Sequence, residues 1–158
     1  MIRLRQATQK EWDLILRDEI PRYAEDHLRT GNWSKSDALQ WAKDQYEKML
    51  PQGVDTKGHH IFILIDEDSS EAVGFIWYEE RSNASTPHAF LCNLHIFEPF
   101  RRQGYAMAAL AQLEAMLRES QTLKRLQLHV FGHNQAARKL YAKQGFTETN
   151  VIMAKDVD

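Results

Sequence analysis

Apolar and polar residues alternate at the start of the chain, and a helical pattern follows at once. Residues 2–7 alternate in the way that a half-buried strand does. Thr8 and Glu11 form a capping box, which predicts that a helix begins here and runs to about Leu28. Pro21 falls inside this helix and has no backbone N–H, so we expect it to kink or split the helix.

A second helix and a polar loop precede the first long apolar run. The first helix is predicted to end at Thr30-Gly31-Asn32. Ser34 is predicted to cap a helix whose apolar positions recur at helical spacing until Pro51. Residues Gln52 to His60 are mostly polar and predict a loop.

Three strongly apolar segments then predict the centre of a β-sheet. Ile61 to Ile65 is apolar at every position, which is typical of a strand buried on both faces. Ala72 to Tyr78 is predicted to be its hairpin partner across a turn at residues 66–70. After a second turn from Arg81 to Pro87, Ala89 to Phe97 is predicted to be the third long strand.

Helices alternate with short strands in the last third of the chain. The pattern predicts a helix over Gly104 to Ser120, a strand over Arg125 to Val130 and a helix over Asn134 to Gln144. Gly145 is expected to end that last helix, because glycine readily takes the left-handed conformation found there. Phe146 to Lys155 is predicted to be a short final strand region.

The order of these elements predicts one mixed α/β domain over residues 1–158. A chain of 158 residues is long enough to bury one substantial core. Residues 89–130 form a strand–helix–strand unit, for which a right-handed parallel crossover is expected. A cleft is expected where the pairing changes from antiparallel to parallel.

Composition narrows the class of protein. The formal net charge of −2 disfavours a nucleic-acid-binding surface. Cys92 is the lone cysteine, which excludes an intrachain disulfide and indicates a reducing compartment. No apolar run approaches ~20 residues, and the first residues lack the apolar centre of a signal peptide. We therefore expect a cytoplasmic protein that binds neither nucleic acid nor membrane.

The segment from Arg101 to Ala106 carries the strongest chemical signal. It joins the third long strand to a helix, where free main-chain N–H groups and the helix dipole favour an anion. Gly104 lets the backbone approach a phosphate without a Cβ in the way. Arg101, Arg102 and Gln103 supply further donors. On physical grounds alone, the segment predicts a phosphate or pyrophosphate site.

A second motif downstream gives this segment a more specific meaning. Arg101-x-x-Gly104-x-Ala106 after a strand resembles the acetyl-CoA signature of the GNAT (Gcn5-related N-acetyltransferase) superfamily. Leu128 to Tyr141, followed by Gly145-Phe146, resembles the superfamily's strand–Asn–helix–Tyr–Gly-Phe segment. The resemblance covers roughly residues 61–153. The first motif could also be an exposed basic loop. That alternative is less favoured, because the second motif follows in the right order.

The resemblance implies a fold and an acetyl-CoA site. The implied fold is α/β, with a mixed, mostly antiparallel sheet whose central parallel strand pair splays to form the acyl-CoA cleft, and with helices on both faces. The main chain of Leu94 to Ile96 is implied to pair with the pantetheine arm, with Asn134 as a further contact. The main-chain amides implied to bind the pyrophosphate belong to Arg101, Arg102, Gln103, Gly104, Tyr105 and Ala106.

The resemblance also implies direct acyl transfer to an amine. Tyr141 corresponds to a phenol near the sulfur, and its ordinary pKa of ~10 against ~8.5 for a thiol lets it protonate the leaving group. A main-chain N–H near Ile96 is expected to polarise the carbonyl. His95, with an ordinary pKa of ~6.5, is the first candidate base for an ammonium group of pKa ~10.4. The alternative bases are Glu79, Glu80 and Glu98.

Simpler structural roles remain open for three of these residues. Tyr141 shares a helix face with Leu140 and also suits a core position. Asn134 suits a helix N-cap whether or not it contacts the cofactor. His95 faces the opposite side of its strand from Leu94 and Ile96, and it suits a structural histidine as well as a base.

Two other groups of side chains are given structural interpretations. The histidines His129 and His133, with His59 and His60, suggest a metal site. None is expected, because His129 lies in a predicted strand and His133 in a turn, so they share no helix face. Trp33 and Trp41, near the acidic residues of the first helix, either flank an amine pocket or belong to an amphipathic helix pair. The helix pair is the favoured interpretation.

Three departures from the family pattern affect the prediction. Ala106 replaces a second glycine, and Asn93 and His95 stand where the cofactor strand often carries a glutamate. Little sequence follows Met153 to form a terminal hairpin. The acceptor cleft is therefore expected either to be open or to be closed by a second subunit in a homodimer.

The sequence thus predicts an acetyl-CoA-dependent N-acetyltransferase. It is expected to move the acetyl group to a primary amine by direct transfer in a ternary complex. The alternative is a non-catalytic acyl-CoA-binding regulatory module. The sequence does not identify the amine-bearing acceptor.

Overall fold

The computed structural model describes residues 1–82 and 86–157, which form five strands and four helices. The strands are β1 (Ile2–Gln6), β2 (His59–Asp66), β3 (Ala72–Arg81), β4 (His88–Ile96) and β5 (Leu126–Leu128). The helices are α1 (Gln9–Arg29), α2 (Ala38–Met49), α3 (Tyr105–Ser120) and α4 (Gln135–Lys143). Of these four helices, none is both long and apolar enough to cross a membrane.

The strands form one mixed sheet in the order β1-β2-β3-β4-β5. The first four strands are antiparallel to their neighbours, and β4 and β5 are parallel, as predicted. Only Ala89 to Leu91 of β4 pair with β5. The remainder of β4, to Ile96, has no strand beside it on that edge in the described chain, and this gap is the splayed cleft of the predicted fold. Pairing stops at Leu128, so β5 is shorter than the predicted Arg125 to Val130.

Helices cover both faces of the sheet and enclose a core on each. On one face α3 buries Leu110 and Leu113 against the sheet, and α4 adds the half-buried Leu140. On the other face α1 and α2 pack over aromatic residues, with Trp12 contacting Phe75 and Trp77 edge-to-face. The predicted α/β architecture with helices on both faces is confirmed.

Local sequence signals fixed several helix ends as expected. The Thr8 side chain accepts from the Glu11 N–H at 3.2 Å, and the Glu11 carboxylate accepts from the Thr8 N–H at 2.9 Å, which completes the capping box. Asn134 caps α4 by accepting from the Ala137 N–H at 3.1 Å. Gly145 has a φ of +86° just beyond that helix, as its predicted role as a stop requires.

Three local predictions were wrong or incomplete. Pro21 does not split α1; it lies on the exposed face, where water can satisfy the carbonyl that loses its helical partner. Ser34 does not cap α2, because Asp37 is the N-cap and the Ser34 hydroxyl donates to the Asp37 side chain instead. Phe146 to Lys155 forms no strand in the described chain. Residues 83–85 of the predicted turn from Arg81 to Pro87 lie outside the described residues.

Candidate functional site

The free edge of β4 presents main-chain groups to the splayed cleft. Phe97 donates its N–H to the carbonyl of Val73 at 2.9 Å, which fixes the hydrogen-bonding phase between β3 and β4. Because this phase alternates along an antiparallel pair, the N–H and C=O groups of Leu94 and Ile96 point away from β3. They therefore face the gap beyond the end of β5. The Ile96 carbonyl accepts a bond from Nε of Arg101 at 3.2 Å.

A β-bulge at Cys92 sorts the side chains of β4 between the two faces. Trp77 pairs with Asn93 and Tyr78 pairs with Leu91, so Cys92 is an extra residue in its strand. Cys92 packs with the core under α1 and α2, and Asn93 contacts α1. The chain beyond the bulge continues into the free edge of β4. The bulge therefore places polar side chains from β4 under α1, beside the start of the cleft.

The segment after β4 has the backbone shape of an anion cradle. Arg102 and Gly104 both have left-handed conformations, with φ of +65° and +82°. The helix α3 begins at Tyr105 without a side-chain cap, and the main-chain N–H groups of residues 102–106 have no acceptor in the described chain. A Cβ added at Gly104 would meet nothing within 4 Å, so the space beside it is open. Unsatisfied N–H groups at a helix start favour a bound anion.

A buried polar network lies on the α1 face of the cleft. Glu19 is only 4% exposed, and its Oε1 accepts from the Asn93 side chain at 2.6 Å. Its Oε2 lies 3.1 Å from Nη2 of Arg22, but the groups are not aligned as a hydrogen bond, so this buried oxygen has no donor in the described chain. Burial raises the pKa of Glu19, and the neighbouring Arg22 opposes that rise.

His95 joins the same network from β4. Nη1 of Arg22 lies 2.7 Å from Nδ1 of His95. Burial and the cations Arg22 and Arg101 lower the pKa of His95 to about 4. The imidazole is therefore neutral near pH 7, and it is a weaker base than an unperturbed histidine.

An open cleft of about 490 Å³ lies beside His95, between α1 and the end of β4. Its walls carry charges of both signs over an apolar floor that includes Phe75 and Phe97. The carboxylate of Glu98 makes no hydrogen bond or ion pair with the described residues, although Glu98 lines this cleft. The cleft is within the size range of small-molecule sites. The charged lining residues are Asp18, Arg22, Glu98 and Arg101.

Tyr141 lies on α4, with its ring against the core formed under α3. The ring contacts Phe146 edge-to-face at 5.5 Å, so part of its role is structural, as the core interpretation expects. Its hydroxyl makes no hydrogen bond within residues 1–82 and 86–157. Burial raises the pKa of Tyr141 to about 12, which keeps the phenol protonated and able to donate.

Similarity to known proteins decides the family of this chain. A model of the acetyltransferase (GNAT) family matches residues 14–146. The chain belongs to the GNAT family. The N-acetyltransferases YycN and YdgE of Bacillus subtilis, both described as uncharacterised, are relatives. YycN is 39% identical over 84% of each chain, and YdgE is 32% identical over 98% of this chain and 97% of its own.

Solved structures agree with this assignment. The crystal structure of YycN from Bacillus subtilis matches with a TM-score of 0.92 and 35% identity, covering 99% of both chains. A PaiA N-acetyltransferase from Thermoplasma acidophilum, in complex with coenzyme A, has a TM-score of 0.69 at 19% identity and covers 96% of this chain and 93% of its own. The second likeness supports the GNAT fold alone.

The GNAT fold brings most of the predicted residues into two neighbouring places. The cradle and the main chain of Leu94 and Ile96 lie along one edge of β4. The side chain of His95 lies under α1, in the cleft that Arg101 also lines. Glu79 and Glu80 do not line the cleft. Glu79 accepts a hydrogen bond from Arg81, and Glu80 is hydrogen-bonded to His60.

Glu19 and Arg22 are polar residues at the site that the sequence analysis missed. Glu19 was grouped with the acidic residues near the tryptophans and was given no role of its own. The available signal was its position on α1, where it continues the apolar face of Trp12, Ile15 and Ile20 at helical spacing. A carboxylate on a core-facing position is costly without partners, so it indicates a buried polar network.

The sequence predicted no metal site, but the described residues include one cluster of potential metal ligands. His59, Glu79 and Cys92 have potential ligand atoms within 4.8 Å of one another. The Trp77 indole donates to Nδ1 of His59 at 3.0 Å, which leaves the proton of the neutral ring on Nε2, the nitrogen that faces Glu79. Burial raises the pKa of Cys92 to about 12, which disfavours the thiolate that a metal needs.

The other residues named in the sequence have structural partners. His133 contacts the Asp26 carboxylate at 2.9 Å and so links the loop after β5 to α1. Trp33 stacks on His27 with ring centroids 4.0 Å apart and packs between α1 and α2. These contacts favour the helix-pair interpretation of Trp33.

Proposed function

We propose that the protein transfers the acetyl group of acetyl-CoA directly to a primary amine. The observation that carries the proposal is the continuity of two unsatisfied main-chain surfaces. The uncapped start of α3 suits a pyrophosphate, and the free edge of β4 that leads into it suits the amides of a pantetheine arm. Family membership supports the choice of acetyl-CoA as the donor.

The proposed binding roles follow from these surfaces. The amides of residues 102–106 hold the pyrophosphate, since the Arg101 N–H already donates to the Glu98 carbonyl at 3.3 Å. The main-chain groups of Leu94 and Ile96 pair with the pantetheine. Asn134 already caps α4 through its side-chain oxygen, and its main-chain N–H donates to the Phe131 carbonyl. Its side-chain nitrogen is the group available to a ligand. The thioester would then lie in the gap between β4 and the α4 side of the cleft.

The proposed chemistry assigns a donor to the leaving sulfur. The amine nitrogen bonds to the acetyl carbon, the carbon–sulfur bond breaks and the sulfur receives a proton. A main-chain N–H near Ile96 polarises the carbonyl oxygen. Tyr141 donates to the sulfur, and its protonated, unbonded hydroxyl supports this role. Its raised pKa makes it a weaker acid than an ordinary phenol, so the proton moves only as negative charge develops on the sulfur.

The acceptor amine has to lose a proton before or during attack. Of the four candidate bases, His95 and Glu98 line the cleft, whereas Glu79 and Glu80 bond elsewhere. We propose that the cleft receives the amine and that His95 or Glu98 removes its proton. The low pKa of His95 makes it a weaker base than an ordinary histidine, so both residues are kept as candidates.

Direct transfer is supported by the state of the lone thiol. Cys92 is half-buried, and the pKa of its thiol is raised to about 12, so it is a poor nucleophile for an acyl-enzyme intermediate. We therefore expect Cys92→Ala to keep its activity. A large loss of turnover in that variant, with normal folding, would instead indicate a covalent route.

A thiol-release screen tests the proposed function. Purified protein is given acetyl-CoA together with a diamine, an amino acid, an aminoglycoside, a peptide with a free N-terminus or a lysine peptide. We expect amine-dependent release of coenzyme A thiol with one class, and intersecting double-reciprocal plots for a ternary complex. Binding of acetyl-CoA by calorimetry without thiol release from any class would favour the regulatory module. Parallel plots would reject direct transfer.

A further inference from the structure

The helix α1 contacts both sides of the gap at which β4 and β5 part. Near the middle of α1, Nη1 of Arg22 lies 2.7 Å from Nδ1 of His95, which belongs to β4. One turn further along α1, the Asp26 side chain bonds to His133, which lies in the loop between β5 and α4. The helix therefore spans the gap beside the strand that has lost its partner.

Four side chains make the contact between α1 and this loop, and we call them the bridging cluster. Nε2 of His133 donates to Oδ1 of Asp26 at 2.9 Å, since a carboxylate can only accept. The ring of Phe131 stacks on His133 with centroids 5.4 Å apart and meets the ring of His27 edge-to-face at 5.1 Å. The bridging cluster consists of Asp26, His27, Phe131 and His133.

The bridging cluster lies across the gap from the free edge of β4. The last pair between β4 and β5 is Leu91 with Leu128. Continued three residues along each chain, this register sets Phe131 at the level of Leu94, whose main-chain groups face the gap. The cluster therefore ties the far wall of the gap to α1.

Little else holds this far wall. In residues 1–82 and 86–157, the bond between His133 and Asp26 is the only hydrogen bond or ion pair that joins residues 130–143 to the chain before β5. The helix α4 has no fully buried residue, and its Leu140 and Tyr141 are the residues that pack against the core. Elements with few buried contacts open at a low cost in free energy. The position of α4 therefore depends on the bridging cluster.

We propose that Asp26 and His133 are positioning residues whose bond holds the loop before α4 against α1 and so sets Tyr141 across the gap from β4. The chain passes from His133 through the Asn134 cap directly into α4, so a displaced loop moves the helix and its phenol. The role of Tyr141 rests on the proposed function. The hold on α4 does not.

The proposed positioning affects turnover and spares cofactor affinity. A proton donor has to lie close to the leaving sulfur, and a misplacement of about 1 Å costs up to roughly 10²-fold in rate. The anion cradle and the free edge of β4 belong to the opposite wall of the gap, so the affinity for acetyl-CoA does not depend on the bridging cluster.

Hydrogen exchange followed by mass spectrometry tests the hold on α4 without acetyl-CoA or an amine. Asp26→Ala is expected to speed exchange of the α4 amides at least roughly threefold. Asp26→Asn keeps an oxygen that accepts from Nε2 of His133, so its exchange should match the wild type. Glu25→Ala is the matched control, because it removes a carboxylate from the same turn of α1, where Glu25 pairs with Arg29 at 3.7 Å. It should leave α4 unchanged.

A double-mutant cycle tests the positioning of Tyr141. Asp26→Ala is expected to lower kcat roughly tenfold, with the affinity for acetyl-CoA unchanged by calorimetry. In a Tyr141→Phe background the same change should lower kcat less than roughly twofold, because no phenol remains to be displaced. Asp26→Asn should keep most of the turnover. His133→Ala removes the same bond from the loop side and should behave like Asp26→Ala, which covers a failure of either variant to fold.

Two results would overturn the proposal. One is equal α4 exchange in wild type and Asp26→Ala, which would mean that the bond does not hold the helix. The other is an equal loss of kcat from Asp26→Ala with and without the Tyr141 phenol, which would mean that the bond acts through general stability. Absence of thiol release with every amine would instead reject the proposed function, and the exchange measurement would still decide whether the bond holds α4.

Discussion

Tyr141 shows how one residue combines a packing role with a free functional group. Its ring packs on the core and on Phe146, while its hydroxyl has no bond within the described chain. Packing fixes the ring, and the free hydroxyl is then directed by the helix that carries it. A residue held in this way can donate to a ligand without losing an existing hydrogen bond.

Tyr141→Phe should therefore separate turnover from binding. We expect kcat to fall by roughly 10²-fold, the lower end of general-acid effects, with little change in the affinity for acetyl-CoA. Steady-state kinetics and calorimetry on the same preparation measure the two quantities. Tyr78→Phe is the matched control, because this phenol stacks on His60 in the sheet, away from the cleft. Unchanged turnover in Tyr141→Phe would remove the acid role.

At the scale of the element, the start of α3 depends on two left-handed residues. Gly104 takes its conformation without steric cost, and the same backbone turns the following N–H groups toward open space. The proposed anion site is thus a property of the loop and helix together. No single side chain makes it.

Gly104→Ala should weaken coenzyme A binding more than it weakens the fold. The left-handed backbone costs a Cβ-bearing residue about 1–2 kcal/mol of stability, and the new methyl group enters the space proposed for the pyrophosphate. We expect at least a roughly tenfold loss of affinity, about 1.4 kcal/mol, by calorimetry. Gly58→Ala has the same backbone strain, with φ of +79°, at the opposite end of the sheet. Equal affinity losses in both variants would contradict the cradle.

At the scale of the whole molecule, α1 and β4 are joined by a buried polar network. Arg22 and His95 are 73 residues apart in the chain, and Glu19 and Asn93 are 74 apart. The network makes the folded state resist protonation of His95. Its effect is therefore visible in the pH dependence of global stability.

Stability should fall as the pH falls from about 6.5 toward 4, and His95 should cause part of the loss. The pKa of His95 is about 4 in the folded chain and ~6.5 in the unfolded chain, so in this window the unfolded state binds more protons. The contribution is fully present above pH ~6.5 and is lost on acidification. Allowing for partial exposure, we expect a loss on the order of 2 kcal/mol.

Urea unfolding of wild type and His95→Gln across this window measures the contribution. The variant should show a smaller loss of unfolding free energy between pH 6.5 and 4 than the wild type. Parallel stability curves for the two proteins would mean that His95 is protonated equally easily in the folded and unfolded chains.

Much of the fold was predictable because its signals are local. The Thr8–Glu11 capping box, the Asn134 cap and the Gly145 stop each depend on atoms within four residues. The predicted strand from Phe146 to Lys155 failed for the opposite reason. A strand needs a partner, and composition alone cannot state whether one is present.

The sequence by itself determined the order of elements, the family signature and the anion cradle from Arg101 to Ala106. These depend on short-range periodicity, on glycine's backbone freedom and on the unsatisfied start of a helix. Tertiary structure alone decided that β4 and β5 part after three pairs, that Glu19 is buried and that His95 is held neutral. Burial and charge proximity join residues more than 70 positions apart in the chain, and only the folded chain sets those distances.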